Sequence, residues 1–194
     1  MKKHLFLTGP AGCGKSAMIR DALGDRLLYA GGYMTEKQCD DQGRLLGCVL
    51  FPTAAAGGAA GFERSLFLDL SGPVPNHDNE VFRETARRLL EEAPWYPFSV
   101  IDEFGGFELL VPQFRSALAD FLSSDQPCIG VMKTEADAEA LRRQLGLGER
   151  FTLYVRQLHS ALKADPDTLV VEAGGLGAHR ARRLVRQWAA EYLK

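Results

Sequence analysis

A chain of 194 residues, 46% hydrophobic and 25% charged, suits one α/β domain spanning residues 1–194 with a core of its own. A formal net charge of -2 argues against nucleic acid or an anionic membrane as a partner, and no apolar run is long enough to cross a bilayer. The basic start reaches Gly9-Pro10 too soon for a secretory leader, and Cys13, Cys39, Cys48 and Cys128 form no C-x-x-C pair or zinc spacing, so a cytoplasmic location, reduced thiols and no structural metal are expected.

Leu5-Phe6-Leu7, ending at Thr8-Gly9, predicts a buried strand. A helix follows over 15–23, with Ala17, Met18, Ile19, Ala22 and Leu23 on its apolar side. Residues 27–33 predict a second strand broken by Gly31-Gly32, and 33–38 with 45–51 a hairpin turning at Asp40-Asp41-Gln42-Gly43. The low-complexity stretch 52–61 reads as a flexible connection, with a mobile lid as the alternative. Residues 65–70 predict a strand and 73–78 a turn region. Over 79–93 a helical period puts Val81, Phe82, Thr85, Ala86, Leu89 and Leu90 on one stripe and the charged residues on the other.

Residues 98–101 predict a strand that delivers Asp102-Glu103, and Pro112 opens a helix to Leu122. Residues 128–132 read as a buried strand, and Thr134-Glu135-Ala136-Asp137 as a capping box opening a helix to Leu145. Two further strands are expected over 151–155 and 168–171. A last helix over 178–193 carries Ala181, Leu184, Val185, Trp188, Ala189 and Tyr192 on one side. Its basic residues (His179, Arg180, Arg182, Arg183 and Arg186) form a solvated face or a docking surface for a protein partner. Strands alternating with helices imply a mainly parallel sheet covered on both faces, with a hairpin inserted after the second strand.

The strongest chemical signal is Gly9-Pro10-Ala11-Gly12-Cys13-Gly14-Lys15-Ser16, a complete G-x-x-x-x-G-K-[ST] loop between a strand and a helix. Its glycines let backbone N–H groups turn inward onto phosphate oxygens, and the helix N-terminus adds partial positive charge. Lys15 is expected on the β- and γ-phosphates of a nucleoside triphosphate and the Ser16 hydroxyl on Mg²⁺. The second signal is Phe98-Ser99-Val100-Ile101-Asp102-Glu103, an apolar strand ending in two carboxylates. Asp102 is expected to hold the Mg²⁺, and Glu103 to orient and polarise the attacking water. Asp102-Glu103-Phe104-Gly105 also fits the D-x-x-G of GTPases. The guanine-reading N-K-x-D is missing, because Met132-Lys133-Thr134-Glu135 has neither the Asn nor the Asp. Lys133 leaves its strand at the sheet edge where the loop and Asp102 converge, as a γ-phosphate sensor or as a solvated residue before the Thr134 cap. Cys13 is either a reactive thiol beside Lys15 or a small residue that fits the turn.

These residues resemble a family of small P-loop nucleoside-triphosphatases. The matching pieces are GPAGCGKS, GGYMTE (31–36), GRLLG (43–47) and, most specific, VIDEFGGFELLVPQFRSAL (100–118). The resemblance implies a RecA/AAA-like core of the additional-strand type and slow, Mg²⁺-dependent hydrolysis of several NTPs to NDP and phosphate. It implies a site built from Gly9 to Ser16 with Asp102 and Glu103. Glu108 matches a family Glu, either as a supporting carboxylate or as a cap for the next helix. This chain departs from the pattern in places. Ala17 at the end of the loop offers no hydroxyl to an α-phosphate. Lys37-Gln38-Cys39 stands where the family has an Arg. Lys133 replaces a His, and Val155-Arg156 stands for an N-R pair, so Arg156 joins Lys15 and Lys133 as an expected charge on the phosphates. Two rival functions share the loop: a small-molecule kinase, and an NTP-driven switch or assembly factor triggered by a partner.

Overall fold

Five strands run parallel side by side, and three more extend the sheet antiparallel at one edge. The structure, a computed structural model, describes residues 1–193. In chain order the strands are β1 (His4–Thr8), β2 (Ala30–Cys39), β3 (Leu45–Pro52), β4 (Ser65–Asp69), β5 (Asn76–His77), β6 (Phe98–Phe104), β7 (Cys128–Met132) and β8 (Thr168–Glu172). Their order across the sheet is β5-β4-β3-β2-β6-β7-β1-β8. β7 pairs with β1 and β6 in parallel, so it is the additional strand between the phosphate-loop strand and the acidic strand.

The helices are α1 (Lys15–Leu23), α2 (Thr53–Ala56), α3 (Arg87–Glu92), α4 (Pro112–Leu122), α5 (Glu135–Leu145), α6 (Glu149–Ala164) and α7 (Ala178–Tyr192). They cover both faces. On one face Ile19, Leu23, Val185 and Trp188 from α1 and α7 pack on Leu5, Val100 and Val131. On the other Leu90, Phe114, Leu118, Phe151 and Leu162 pack on Phe6, Ile101 and Met132. Strands buried on both sides explain why β1, β6 and β7 read as continuous apolar runs.

Several expectations change. Residues 27–33 do not form a separate strand: Gly24–Tyr29 is a 3₁₀ segment, and β2 runs unbroken from Ala30 through both glycines to Cys39. Gly31 and Gly32 are there for close approach, since a Cβ on Gly31 would stand 2.8 Å from the Ala93 Cα and one on Gly32 2.2 Å from the Val100 carbonyl oxygen. The helix expected over 79–93 divides into a π-type stretch over Val81–Ala86, α3, and a 3₁₀ turn over Ala93–Trp95. The largest correction is 151–155, expected as a strand and found inside α6. Phe151, Val155, His159 and Leu162 recur at helical spacing and are the residues α6 buries, a period that a five-residue window hides. The stretch 52–61 is partly regular: Pro52 ends β3, α2 follows with Thr53 buried, and none of these residues lines the cavity at the Gly9–Ser16 loop described below.

Candidate active site

β1 ends at Thr8, and the loop to α1 turns back over the sheet edge. Gly14 caps α1 with φ 87°, a left-handed conformation that glycine adopts without strain, and no side chain caps the helix. Among the described residues the N–H groups of Gly12, Gly14, Lys15, Ser16 and Ala17 have no protein acceptor, whereas that of Cys13 bonds to the Pro10 carbonyl at 3.3 Å. Five free donors around a helix N-terminus make an anion cradle. Ala17 therefore contributes through its backbone, as a residue without a hydroxyl must. Gly9 has a packing reason as well: a Cβ there would stand 2.4 Å from Glu172 Oε1.

Lys15 is buried, and its ammonium donates to the carbonyls of Gly9 (2.6 Å) and Pro10 (2.9 Å), with the Cys13 sulfur at 3.9 Å. Those carbonyls hold the cation over the cradle. Ser16 Oγ donates to Asp102 Oδ1 at 2.8 Å. Asp102 is fully buried, and its Oδ2 has no partner. Burial pushes its carboxyl up to about 6; the Ser16 hydrogen bond opposes this, and the Glu103 carboxylate adds to it.

β6 and β7 slip by one residue after Asp102: Asp102 lies opposite Val131 and Phe104 opposite Met132, which leaves Glu103 as the extra residue. Such a bulge re-aims a side chain at the end of a ladder. Glu103 Oε2 accepts from the Lys133 ammonium at 2.6 Å. Burial alone lowers the Lys133 pKa, but the Glu103 carboxylate outweighs it, and the ammonium titrates above its usual range. Glu108 does not cap α4. Its Oε1 accepts from the N–H groups of Gly105 and Gly106, both at 2.6 Å, and so ties down the loop after β6.

One cavity of about 470 Å³ gathers Gly12, Gly14, Lys15, Ser16, Ala17, Asp102, Glu103, Glu108 and Lys133. A larger cavity of about 700 Å³ between α4 and α6 contains no residue of the Gly9–Ser16 loop and neither Asp102 nor Glu103, so chemistry rather than size locates the site. Arg156 is not brought in. It lies exposed on α6, beside Glu135, Glu139 and Glu149, because the strand expected to deliver it to the sheet edge is a helix.

Two contributors were missed. Arg20, one helical turn after Ser16, lines the cavity with its Nε buried and unpartnered; the i+4 spacing from Ser16 was the available signal. His159 of α6 places Nε2 3.0 Å from the Lys133 carbonyl and so pins the backbone that carries the lysine; no local pattern announced that.

Replacing Asp102 with Asn is expected to stabilise the nucleotide-free chain. The folded carboxyl titrates near 6 against an ordinary 3.8. The folded state therefore binds the proton more tightly, and the cost is absent below about pH 3.8, grows to about pH 6 and is constant above. Such a shift corresponds to on the order of 3 kcal/mol. Asn keeps an acceptor for the Ser16 hydroxyl and exchanges an unpartnered charge for an unpartnered amide, which costs less. Thermal melts in EDTA should show a gain of about 5 °C at pH 8 that fades by pH 4. Equal melting at pH 8 would contradict the burial argument.

The comparisons with known proteins agree with this geometry. The NTPase family matches residues 4–157, from β1 into α6. The crystal structure of THEP1 from the hyperthermophile Aquifex aeolicus superposes with a TM-score of 0.52 at 18% identity, over 82% of this chain and 99% of that one. At that identity the likeness shows the shared P-loop fold. No curated protein matches the chain. With the phosphate cradle, the acidic strand and most of its length inside the family's match, the chain belongs to the NTPase family.

Proposed function

We propose that the chain is a Mg²⁺-dependent nucleoside-triphosphatase that releases NDP and phosphate, with broad base tolerance and slow turnover. The observation that carries this reading is the convergence of Lys15, Ser16, Asp102, Glu103 and Lys133 in one cavity around the free N–H groups of the loop.

The residues fit Mg²⁺. The unpartnered Oδ2 of Asp102 and the adjacent Ser16 hydroxyl are hard oxygen donors. Two protein oxygens suit a cation that otherwise keeps phosphate oxygens and waters as ligands. Bound there, the ion would neutralise β- and γ-phosphate charge.

The chain's own groups do the rest. The N–H cradle binds the phosphates, and Lys15 moves from the Gly9 and Pro10 carbonyls to phosphate oxygens. Glu103 orients a water for in-line attack and takes its proton. Lys133 holds Glu103 in place and donates to the γ-phosphate. Release of NDP and phosphate from ATP, GTP, CTP and UTP tests the reading. Phosphate equal to NDP for several bases is the expected result; tight binding without turnover would overturn it.

Lys133→Ala should weaken NTP binding about ten- to a hundredfold and leave NDP binding nearly unchanged, because only NTP carries the γ-phosphate, and a charge-assisted hydrogen bond is worth roughly 1.5–3 kcal/mol. The ratio of the two affinities in wild type and variant is the measurement. Equal small changes for both nucleotides, with turnover intact, would reduce Lys133 to a surface lysine.

A further inference from the structure

β2 leaves the parallel part of the sheet early. It pairs with β6 from Ala30 to Tyr33, opposite Phe98 to Ile101, and there that pairing stops. From Met34 to Cys39 the strand runs on, paired with β3 alone. The parting comes just before Asp102, so the end of β2 and the acidic end of β6 border the cavity from two sides. Thr35, Glu36 and Lys37 line it together with Lys15, Ser16, Asp102, Glu103 and Lys133.

Lys37 lies directly opposite Cys48 of β3, so the two side chains share one face of the hairpin, and both line the cavity. Burial pushes the Cys48 thiol up; the Lys133 and Lys37 ammonium groups act against this, and the Glu103 carboxylate acts with it. Lys37 therefore stands at the end of the cavity that holds Lys133 and Glu103.

The other cations of the cavity are engaged. Lys15 is held by the loop carbonyls, Arg20 reaches the Thr35 carbonyl at 3.4 Å, and Lys133 is held by Glu103. Glu36, the neighbour of Lys37 in sequence, is paired with Arg64. Lys37 is exposed, and among the described residues its ammonium has no partner. An ammonium on a flexible four-carbon stem at the rim of a phosphate cavity breaks no protein contact when it moves onto a phosphate oxygen.

We propose that Lys37 is a further catalytic residue, which closes from the β2–β3 hairpin onto the γ-phosphate during hydrolysis and stabilises the charge that develops there. The proposal rests on the nucleoside-triphosphatase reading above. In the step itself the water oxygen bonds to the γ-phosphorus, and the bond to the β–γ bridging oxygen breaks with its electron pair leaving on NDP. The proton of the water passes to Glu103. Lys37 donates to a γ-phosphate oxygen from the hairpin side while Lys15 and the N–H cradle hold the loop side. A cation placed on the phosphoryl group in transit acts mainly in the transition state, so its loss lowers kcat rather than NDP binding.

The test compares wild type with Lys37→Met, which keeps an unbranched stem and removes the charge, and Lys37→Arg, which keeps the charge. The expected result for Lys37→Met is a kcat about 10²-fold lower, with ADP affinity and melting temperature unchanged. Affinity for ADP with fluoroaluminate, a mimic of the phosphoryl group in transit, should fall about as far as kcat. Lys37→Arg should recover most of the rate. Wild-type kcat in Lys37→Met overturns the proposal and leaves the hydrolase reading standing. A parallel loss of ADP affinity or melting temperature overturns it too, because that marks a structural contact. So does an Arg variant as slow as the Met variant. A wild-type chain that releases no phosphate is the separate failure of the hydrolase reading.

Discussion

Glu103→Gln is expected to bind Mg–NTP as the wild type does and to lose about 10²- to 10⁴-fold in turnover, the usual contribution of a general base. Glu103 is the residue left over by the slip between β6 and β7, and its carboxylate is fixed by Lys133 at 2.6 Å. Glutamine has the same length, and its amide oxygen still accepts from the Lys133 ammonium, so the side chain keeps its place. It cannot take a proton from water. Single-turnover phosphate release at saturating NTP, beside a binding titration, separates the two effects. A wild-type rate in the variant would move the role to another carboxylate. Glu108 is engaged by two backbone donors, and Glu36 is exposed and paired with Arg64 at 2.7 Å, so neither is as well placed.

Lys15→Ala is expected to weaken NTP binding by about a hundredfold or more, since charge-assisted hydrogen bonds to at least one phosphate oxygen are lost. The lysine is buried at the mouth of the cradle, and its only hydrogen-bond partners among the described residues belong to the loop itself. Removing it also frees the Gly9 and Pro10 carbonyls, which are then left to water. A fluorescent NTP analogue titrated into wild type and variant is the measurement, with circular dichroism to show that both are folded. Unchanged affinity in a folded variant would contradict the cradle.

The parts of this fold that a short window encodes were legible. α1, α4 and β7 lie where the motif, the Pro at the helix start and the apolar run place them. Thr134 caps α5 by accepting from the Asp137 N–H at 2.9 Å, as the capping pattern predicts. The parts set by distant contacts were not. Gly31 and Gly32 look like strand breakers until the 3₁₀ turn after α3 and β6 are seen pressed against them. Phe151 to Val155 is apolar enough for a strand, and only the longer period through Leu162 reveals α6. Arg156 was misplaced for that reason alone.

The site divides the same way. The cradle and its acidic partner are contiguous motifs, so Lys15, Ser16, Asp102 and Glu103 could be read directly. The packing of Phe67, Phe82 and Phe107 beside the site joins β4, the π-type stretch and the loop after β6, and nothing short-range links the three. Core aromatics and cavity aromatics look alike in a sequence.

The most direct test of the central claim is hydrolysis of Mg–ATP by the purified chain in ¹⁸O-labelled water, with mass spectrometry of both products. Attack by a water beside Glu103 on the γ-phosphorus predicts one labelled oxygen in the phosphate and none in the ADP. Label in the ADP, or phosphate released without label, would contradict it.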